Sequence, residues 1–277
     1  MIGITKISPG RMGNRLFHYH FLRQVSKKTG IEYFHPDLPD KKYFNNMEKK
    51  SRPFSIFKKQ TKLNSKKILS YTPEDFLGLI ASEDRQGKDL VLNPPMLGEV
   101  FFDYLFYPTS EFINIKDEYK KPFNSEYSED TIIGLHFRGT DFEQWNHNAS
   151  LKFSYYRDAI NHCLDYYKGG NIIFMLFTDD NKFPPFLETT NHLKMNGLNF
   201  HISTNISSPI IDFYQMSRCD VLISSPSTFA IFAGAIGKEK KIIHNKAWLD
   251  YAIAQNDTFW VRLAETTNSY YSLWKTF

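Results

Sequence analysis

Four short apolar runs in the second half of the chain constrain the fold more than any other feature. They are "TIIGLHF" from residue 131, "NIIFMLFT" from 171, "CDVLIS" from 219 and "KKIIH" from 240. They are near-continuous in apolar residues and do not alternate strictly between polar and apolar. Strands buried on both faces read this way, and they need helices on each side. Helical patterns lie between them, at 153–168 with Gly169-Gly170 at its end, at 209–218, and in "PSTFAIFAGAIG" from 226. "NFHIST" near residue 200 adds another strand. The alternation indicates a parallel α/β sheet covered on both faces.

The first half repeats this grammar less clearly. Residues 2–7 read as a short buried strand. Residues 14–28 read as a helix, with Leu16, Phe17, Phe21, Leu22 and Val25 at helical spacing. "IEYFH", residues 31–35, reads as the next strand. Thr72 caps a helix opening at Pro73. "DLVLNPPMLGEVFFDY" gives a strand, a proline loop and an aromatic segment. The polar, turn-rich "NSEYSED", residues 124–130, marks a boundary. The expected organisation is a domain at 1–128, a second at 129–247, and a helical tail, 248–277, packing back on the first. A chain of 277 residues suits one or two such domains.

Only two cysteines are present, Cys163 and Cys219, and they do not form a metal-like pair. A disulfide scaffold is therefore not expected, and a reducing compartment fits. No early stretch has the regions of a signal peptide. No run approaches the roughly 20 apolar residues of a membrane helix. The expectation is a soluble cytoplasmic protein.

The net charge of +4 is modest but uneven. From Lys41 to Lys67 the basic residues are Lys41, Lys42, Lys49, Lys50, Arg52, Lys58, Lys59, Lys62, Lys66 and Lys67, and Glu48 is the only acid. A solvated face is one reading of such a run. Attraction to an anionic membrane surface, at the inner face, or to a phosphate-bearing acceptor is the other. No nucleic-acid motif accompanies the charge, so nucleic acid is not an expected partner.

In a sheet of this kind, ligands sit beyond the carboxyl ends of the strands, where loops open into helices. Three loops lie there. In "SPGRMGNRLFHYHF", from residue 8, glycines and basic residues stand at a helix mouth, where free amides attract anions. An ordinary strand-to-helix turn is the plainer reading. In "LHFRGTDF", from 135, His136 and Arg138 alternate along a strand end and project to the same side. Arg138 is then a permanently charged fork suited to phosphate oxygens. Asp141 is placed to orient it. In "ISSPSTFAIFAGAIG", from 223, Ser224, Ser225, Ser227 and Thr228 cluster where a strand meets a helix. They make either a phosphate cradle, with Phe229 stacking on a base, or a hydroxyl-rich helix cap.

Taken in order, these stretches resemble a known pattern. "GRMGNRLFHYHF" looks like the glycine-asparagine loop of the bacterial α-1,2-fucosyltransferases, glycosyltransferase family 11. "HFRGTD" is similar to the His-x-Arg-x-x-Asp motif of the wider α-1,2-, α-1,6- and protein O-fucosyltransferase superfamily. "DFYQMSRCDVLISSPSTFAIFAGAIG" resembles its final motif. "LGEVFFDYLFYPTSEFINIK" and "FTDD" resemble intervening segments. The resemblance spans most of residues 3–244.

The resemblance implies a GT-B-like fold, two Rossmann-like domains facing a central cleft. It implies GDP-fucose as donor, an inverting transfer to a glycan hydroxyl, and no required metal or other cofactor. By carry-over, Arg138 holds the β-phosphate with His136 beside it. Gly13 and Asn14 reach the donor from the first domain. Asp212 accepts from the guanine edge, and Ser227, Thr228 and Phe229 line the phosphates and base. Arg11 and Arg15 face the acceptor. The general base stays open among Asp141, Glu143, His18 and His20. At two positions the chain departs from the family pattern. Gly139 stands where a second arginine is usual, and Arg15 stands where a glutamine is frequent. Changing Arg15 to Gln moves toward the family residue and is expected to be mild.

The expected function is fucose transfer, with α-1,2 as the expected linkage, in surface polysaccharide biosynthesis (O-antigen, capsule or lipopolysaccharide), with an acceptor that includes lipid-linked glycans. Two alternatives stand beside it. One is a same-fold glycosyltransferase using another nucleotide sugar. The other is a non-catalytic nucleotide- or glycan-binding protein.

Overall fold

The apolar run at the amino terminus is only three residues long as a strand, β1 (Ile2–Ile4), and all three are buried. In the computed structural model the described residues are 1–6, 11–47, 58–64, 71–93, 113–123, 127, 130–140, 150–203, 208–225, 227–237, 241–244 and 275–276. The chain divides into two compact units, Met1–Lys116 and Asp117–Phe277. The division precedes the polar segment 124–130.

In the first unit, β1 leads to helix α1 (Met12–Thr29). Gly30 ends that helix in the left-handed conformation, φ 70°, and its amide returns to the Ser26 carbonyl at 2.8 Å. Strand β2 (Tyr33–Phe34) follows, then β3 (Gln60–Leu63), helix α2 (Pro73–Arg85) and β4 (Asp89–Leu92). Thr72 caps α2 as its sequence requires: its hydroxyl accepts from the Asp75 amide at 3.1 Å, with Pro73 in the first turn. The four strands are parallel in the order β2-β1-β4-β3. Both crossovers step the same way along the sheet, so right-handed connections place α1 and α2 on one face. They meet there through Phe21 and Phe76, ring centroids 6.0 Å apart. Ile2, Ile4, Leu22, Val25, Ile80 and Leu90 complete that core.

The second unit carries the clearer sheet: β5 (Thr131–Phe137), β6 (Ile172–Thr178), β7 (Phe200–Ile202), β8 (Val221–Ile223), β9 (Lys241–His244) and β10 (Lys275–Thr276). All neighbours are parallel, in the order β10-β9-β8-β5-β6-β7. Helices α3 (Phe153–Tyr166), α4 (Pro184–Met195), α5 (Pro209–Arg218) and α6 (Thr228–Ile236) connect them. The chain steps outward from β5 to β7, returns to β8 and steps the other way. Helices α3 and α4 therefore cover one face and pack together, while α5 and α6 pair on the other. Ile133, Leu135, Phe137, Phe174 and Leu176 sit buried beneath α3 and α4, and Phe213 and Phe232 of α5 and α6 are buried as well. This double covering is why the strands read as continuous apolar runs.

Of the expected tail 248–277, only Lys275–Thr276 are among the described residues. They form β10 and extend the second sheet beside β9, in register Lys275 with Ile243. Residues 248–274 and 277 lie outside the description.

Candidate functional site

Strand order in the second sheet reverses between β5 and β8, and a doubly wound sheet offers a ligand crevice at that reversal. The residues that end these two strands meet there. His136, the penultimate residue of β5, makes a 2.7 Å hydrogen bond through Nδ1 to the Ser225 hydroxyl, two residues past β8. Both are buried. Burial lowers the His136 pKa to about 4; Asp179 opposes the shift and Arg138 adds to it. The ring is therefore neutral at pH 7 and acts as a hydrogen-bonding group.

Arg138 follows at the end of β5. Its Nη1 lies 2.7 Å from Oδ2 of Asp179, at the end of the adjacent β6. The same carboxylate accepts the Gly139 amide at 2.9 Å and the Thr140 hydroxyl at 2.7 Å. Burial pushes the Asp179 carboxyl up, but the Gly139 amide, Arg138, Thr140 and His136 together outweigh it and hold the pKa below 3.8. The guanidinium side chain retains 13% exposure. It is a mostly enclosed cation already oriented by the protein.

Two adjacent tyrosines of α3 brace the floor. Tyr156 donates to the His136 carbonyl at 3.1 Å. Tyr155 shares its proton between the carbonyls of Ser224, at 2.9 Å, and Ile243, at 3.0 Å. Burial raises both phenol pKa values, so each remains a donor. The ends of β5, β8 and β9 are thereby tied to one helix.

Gly139 cannot carry a side chain in this arrangement. An added Cβ would stand 2.9 Å from both Cβ and Cγ of Phe183. Phe183 and, at 3.1 Å, the Asp180 Cβ close the position at which the sequence resemblance leads one to expect a second arginine.

On the other side of β8, Ser227 is the cap residue of α6 and is buried, with Thr228 opening the helix. The Phe229 ring packs at 6.2 Å from His136 and 5.3 Å from Phe213. One side of that ring is thus already committed to protein. Asp212, in the first turn of α5, accepts a short hydrogen bond from the Ser203 hydroxyl just after β7. Asp141 and Glu143 lie outside the described residues. Among the described residues, no group of three or more His, Cys, Asp or Glu is arranged to hold a metal ion.

In the first unit, Arg11 is the exposed cap residue of α1; Gly13 is buried and Asn14 half-buried in its first turn. Arg15 is turned to Asp40 in a two-pronged pair, Nε to Oδ2 at 2.5 Å and Nη2 to Oδ1 at 3.0 Å. His18 and His20 are buried along α1. Burial, with Arg23 nearby, lowers the His20 pKa to about 3, which makes it a poor proton acceptor near neutrality.

By sequence, the chain matches no family model and no curated protein. By structure, it is similar to POFUT1 in complex with GDP, with TM-score 0.53 and 12% identity over 87% of this chain and 96% of that one. It is likewise similar to the NodZ α-1,6-fucosyltransferase co-crystallised with GDP, with TM-score 0.51 and 15% identity over 85% and 92% of the two chains. A POFUT1 complex with GDP-fucose gives TM-score 0.51 at 11% identity, over 86% and 95%. The chain has the fold of these fucosyltransferases: mixed α/β, with two all-parallel sheets.

The structure brings His136, Arg138, Ser227, Thr228 and Phe229 to the ends of β5 and β8, where the sequence placed them. It gives Ser225, read as part of the phosphate cradle or helix cap, the His136 hydrogen bond, and it adds residues the sequence reading did not single out: Asp179 and the Tyr155-Tyr156 pair. A signal for Asp179 existed. "FTDD" puts carboxylates at the end of a strand that must neighbour β5 if the connection is a short right-handed crossover. The tyrosines carried none, since aromatic residues on a helix read simply as core.

Proposed function

We infer that this chain is an inverting glycosyltransferase that moves fucose from GDP-fucose to a hydroxyl of a glycan acceptor. The observation that carries this reading is the Arg138–Asp179 pair beside His136–Ser225, at the switch point of the second sheet. The likeness in fold to proteins solved with GDP and GDP-fucose supports the donor.

In the reaction, the acceptor oxygen forms a bond to the anomeric carbon as the bond from that carbon to the β-phosphate oxygen breaks. The bonding pair stays on GDP, and the acceptor proton passes to a base. Charge therefore builds on the diphosphate. Arg138 is positioned to meet it, and a preplaced donor of this kind is worth roughly 3 to 4 kcal/mol in the transition state. Neutral His136 adds a hydrogen-bonding ring beside it, and the amides opening α6 add a second anion site. In this reading each unit is one Rossmann-like half of a GT-B-like enzyme, with Gly13 and Asn14 assigned to the donor and Arg11 to the acceptor. Asp212 takes the guanine edge while Ser227, Thr228 and Phe229 line the rest. Asp141 or Glu143 takes the proton, and no metal is required. The linkage is α-1,2, and the product is a surface polysaccharide. The basic stretch 41–67 holds the protein near anionic, lipid-linked acceptors.

The test is a melting series with GDP, UDP and CMP, followed by turnover of GDP-fucose with and without chelator. Ligand at a hundred times its dissociation constant stabilises by about 2.7 kcal/mol, a readily measured shift. GDP alone should produce it, and turnover should survive the chelator. Stabilisation by UDP or CMP in place of GDP overturns the donor assignment.

A further inference from the structure

A pocket of about 570 Å³ opens on the first unit, built from segments distant in sequence. The 3-10 turn Pro39–Tyr43 runs into Phe44, which bridges Ile115 in antiparallel fashion. The Lys116 amide donates to the Tyr43 carbonyl at 2.9 Å, and the Asn45 amide to the Asn114 carbonyl at 2.7 Å. This zipper brings Lys116 beside Lys41 and Lys42 at the pocket. Buried Leu38, Phe44 and Met47 supply its apolar surface.

The charges around it do not cancel. Lys41 is 3.6 Å from Asp37, an exposed pair that solvent screens. The Lys42 ammonium rests 4.9 Å from the Tyr43 ring centroid. Among the described residues, no carboxylate lies within ion-pair distance of Lys42 or Lys116. Asp40, the nearest acid in sequence to Lys42, is committed to Arg15, and Asp117, next to Lys116, pairs with Lys120 at 2.7 Å. A concave site of this size with ammonium groups over an apolar surface suits a small anion with an apolar face. A sugar ring carrying a carboxylate or phosphate has that form: C–H groups on one face and charge at the edge. A bilayer surface is broad and gains nothing from a concavity of these dimensions.

We propose that this pocket binds an acidic sugar of the acceptor glycan, a hexuronate or a sugar phosphate. The proposal rests on the glycosyl-transfer reading above and names the chemical class of its acceptor.

The test titrates the isotope-labelled full chain with glucuronate, glucose 6-phosphate and glucose, followed by NMR. It is repeated on the double variant Lys42→Gln, Lys116→Gln, with GDP affinity and melting as fold controls. At least one acidic sugar should bind about tenfold more tightly than glucose, with affinity falling in salt, and the double variant should lose that preference. Glucuronate ahead of glucose 6-phosphate identifies the acid as a carboxylate, and the reverse order identifies a phosphate. Equal binding of glucose, or an undiminished preference in the variant, overturns the proposal. So does a wild type that ignores both acids yet binds phosphatidylserine vesicles through these two lysines. Acid-sugar binding without GDP binding would leave the pocket standing while the donor reading falls.

Discussion

Arg138 and Asp179 face each other across neighbouring strand ends, with Nη1 2.7 Å from Oδ2. Asp179 is itself held by the Gly139 amide and the Thr140 hydroxyl. The cation is therefore aimed before any ligand arrives, which is the arrangement that lowers reorganisation cost in a transition state.

Removing either partner should reveal this. Arg138→Ala should fold and lose turnover on the order of a hundredfold or more. Arg138→Lys should rescue poorly, because a point charge cannot reproduce the fork. Asp179→Asn keeps the shape but removes the orienting charge; it should lower kcat more than it raises KM for the donor. Steady-state kinetics and melting of all three variants check this. Near-normal turnover in a folded Arg138→Ala protein removes the central residue from the mechanism.

Stability should fall on acidification in two windows. His136 and His35 have pKa values lowered to about 4 and His20 to about 3, in each case chiefly by burial. Unfolded histidine protonates near 6.5, so below that pH the unfolded chain binds more protons than the folded one. The stability these rings carry is complete above pH 6.5 and is lost as pH falls toward 4 for His136 and His35 and toward 3 for His20. For His136 alone the shift from 6.5 to about 4 is on the order of 3 kcal/mol. Asp179, depressed below 3.8, adds its own loss only below that value. Melting temperatures from pH 8 to 3 should show a slope beginning near 6.5, made shallower by His136→Asn. A flat profile between pH 6.5 and 5 contradicts this.

The second unit was legible because its physics is local. Continuous apolar runs demanded cover on both faces, and the strand ends then placed His136, Arg138 and the Ser225–Thr228 region together. Asp179 was less legible because pairing of β5 with β6 is a property of topology, and residues 138 and 179 are distant in sequence. The first unit read less well for a physical reason: β2 has two residues, too few to show a period. Likewise Arg15 looked like a ligand-facing cation, since nothing in "GNRLF" shows the buried carboxylate that waits at Asp40.

Gly139 marks a second limit of reading by resemblance. A side chain there meets Phe183 at 2.9 Å, and relieving such overlap in a packed site typically costs about 1 to 3 kcal/mol. Gly139→Arg should therefore destabilise the protein, and pairing it with Phe183→Ala should recover part of the loss. Chemical denaturation of the single and double variants measures the coupling. An arginine tolerated at 139 with Phe183 intact would show that the backbone carrying Phe183 shifts, since its Cβ as well as its Cγ meets the added atom.

Arg15→Gln is the substitution on which structure and sequence part. By family pattern it should be mild. In the folded chain Arg15 meets Asp40 through two hydrogen bonds, and the Asp40 side chain is only 8% exposed. Glutamine carries no charge and reaches less far, so the change leaves a nearly buried carboxylate without its cation. Leaving such a group unsatisfied costs about 1 to 3 kcal/mol. The loss should appear as reduced stability of the first unit, with GDP affinity of the second unit unchanged. Replacing both residues, Arg15→Gln with Asp40→Asn, should restore much of the stability, since an amide pair can exchange hydrogen bonds without burying charge. Denaturant melts of the two singles and the double give the coupling energy directly. If Arg15→Gln is as stable as wild type while acceptor kinetics change, the arginine serves the acceptor and the pair with Asp40 is incidental.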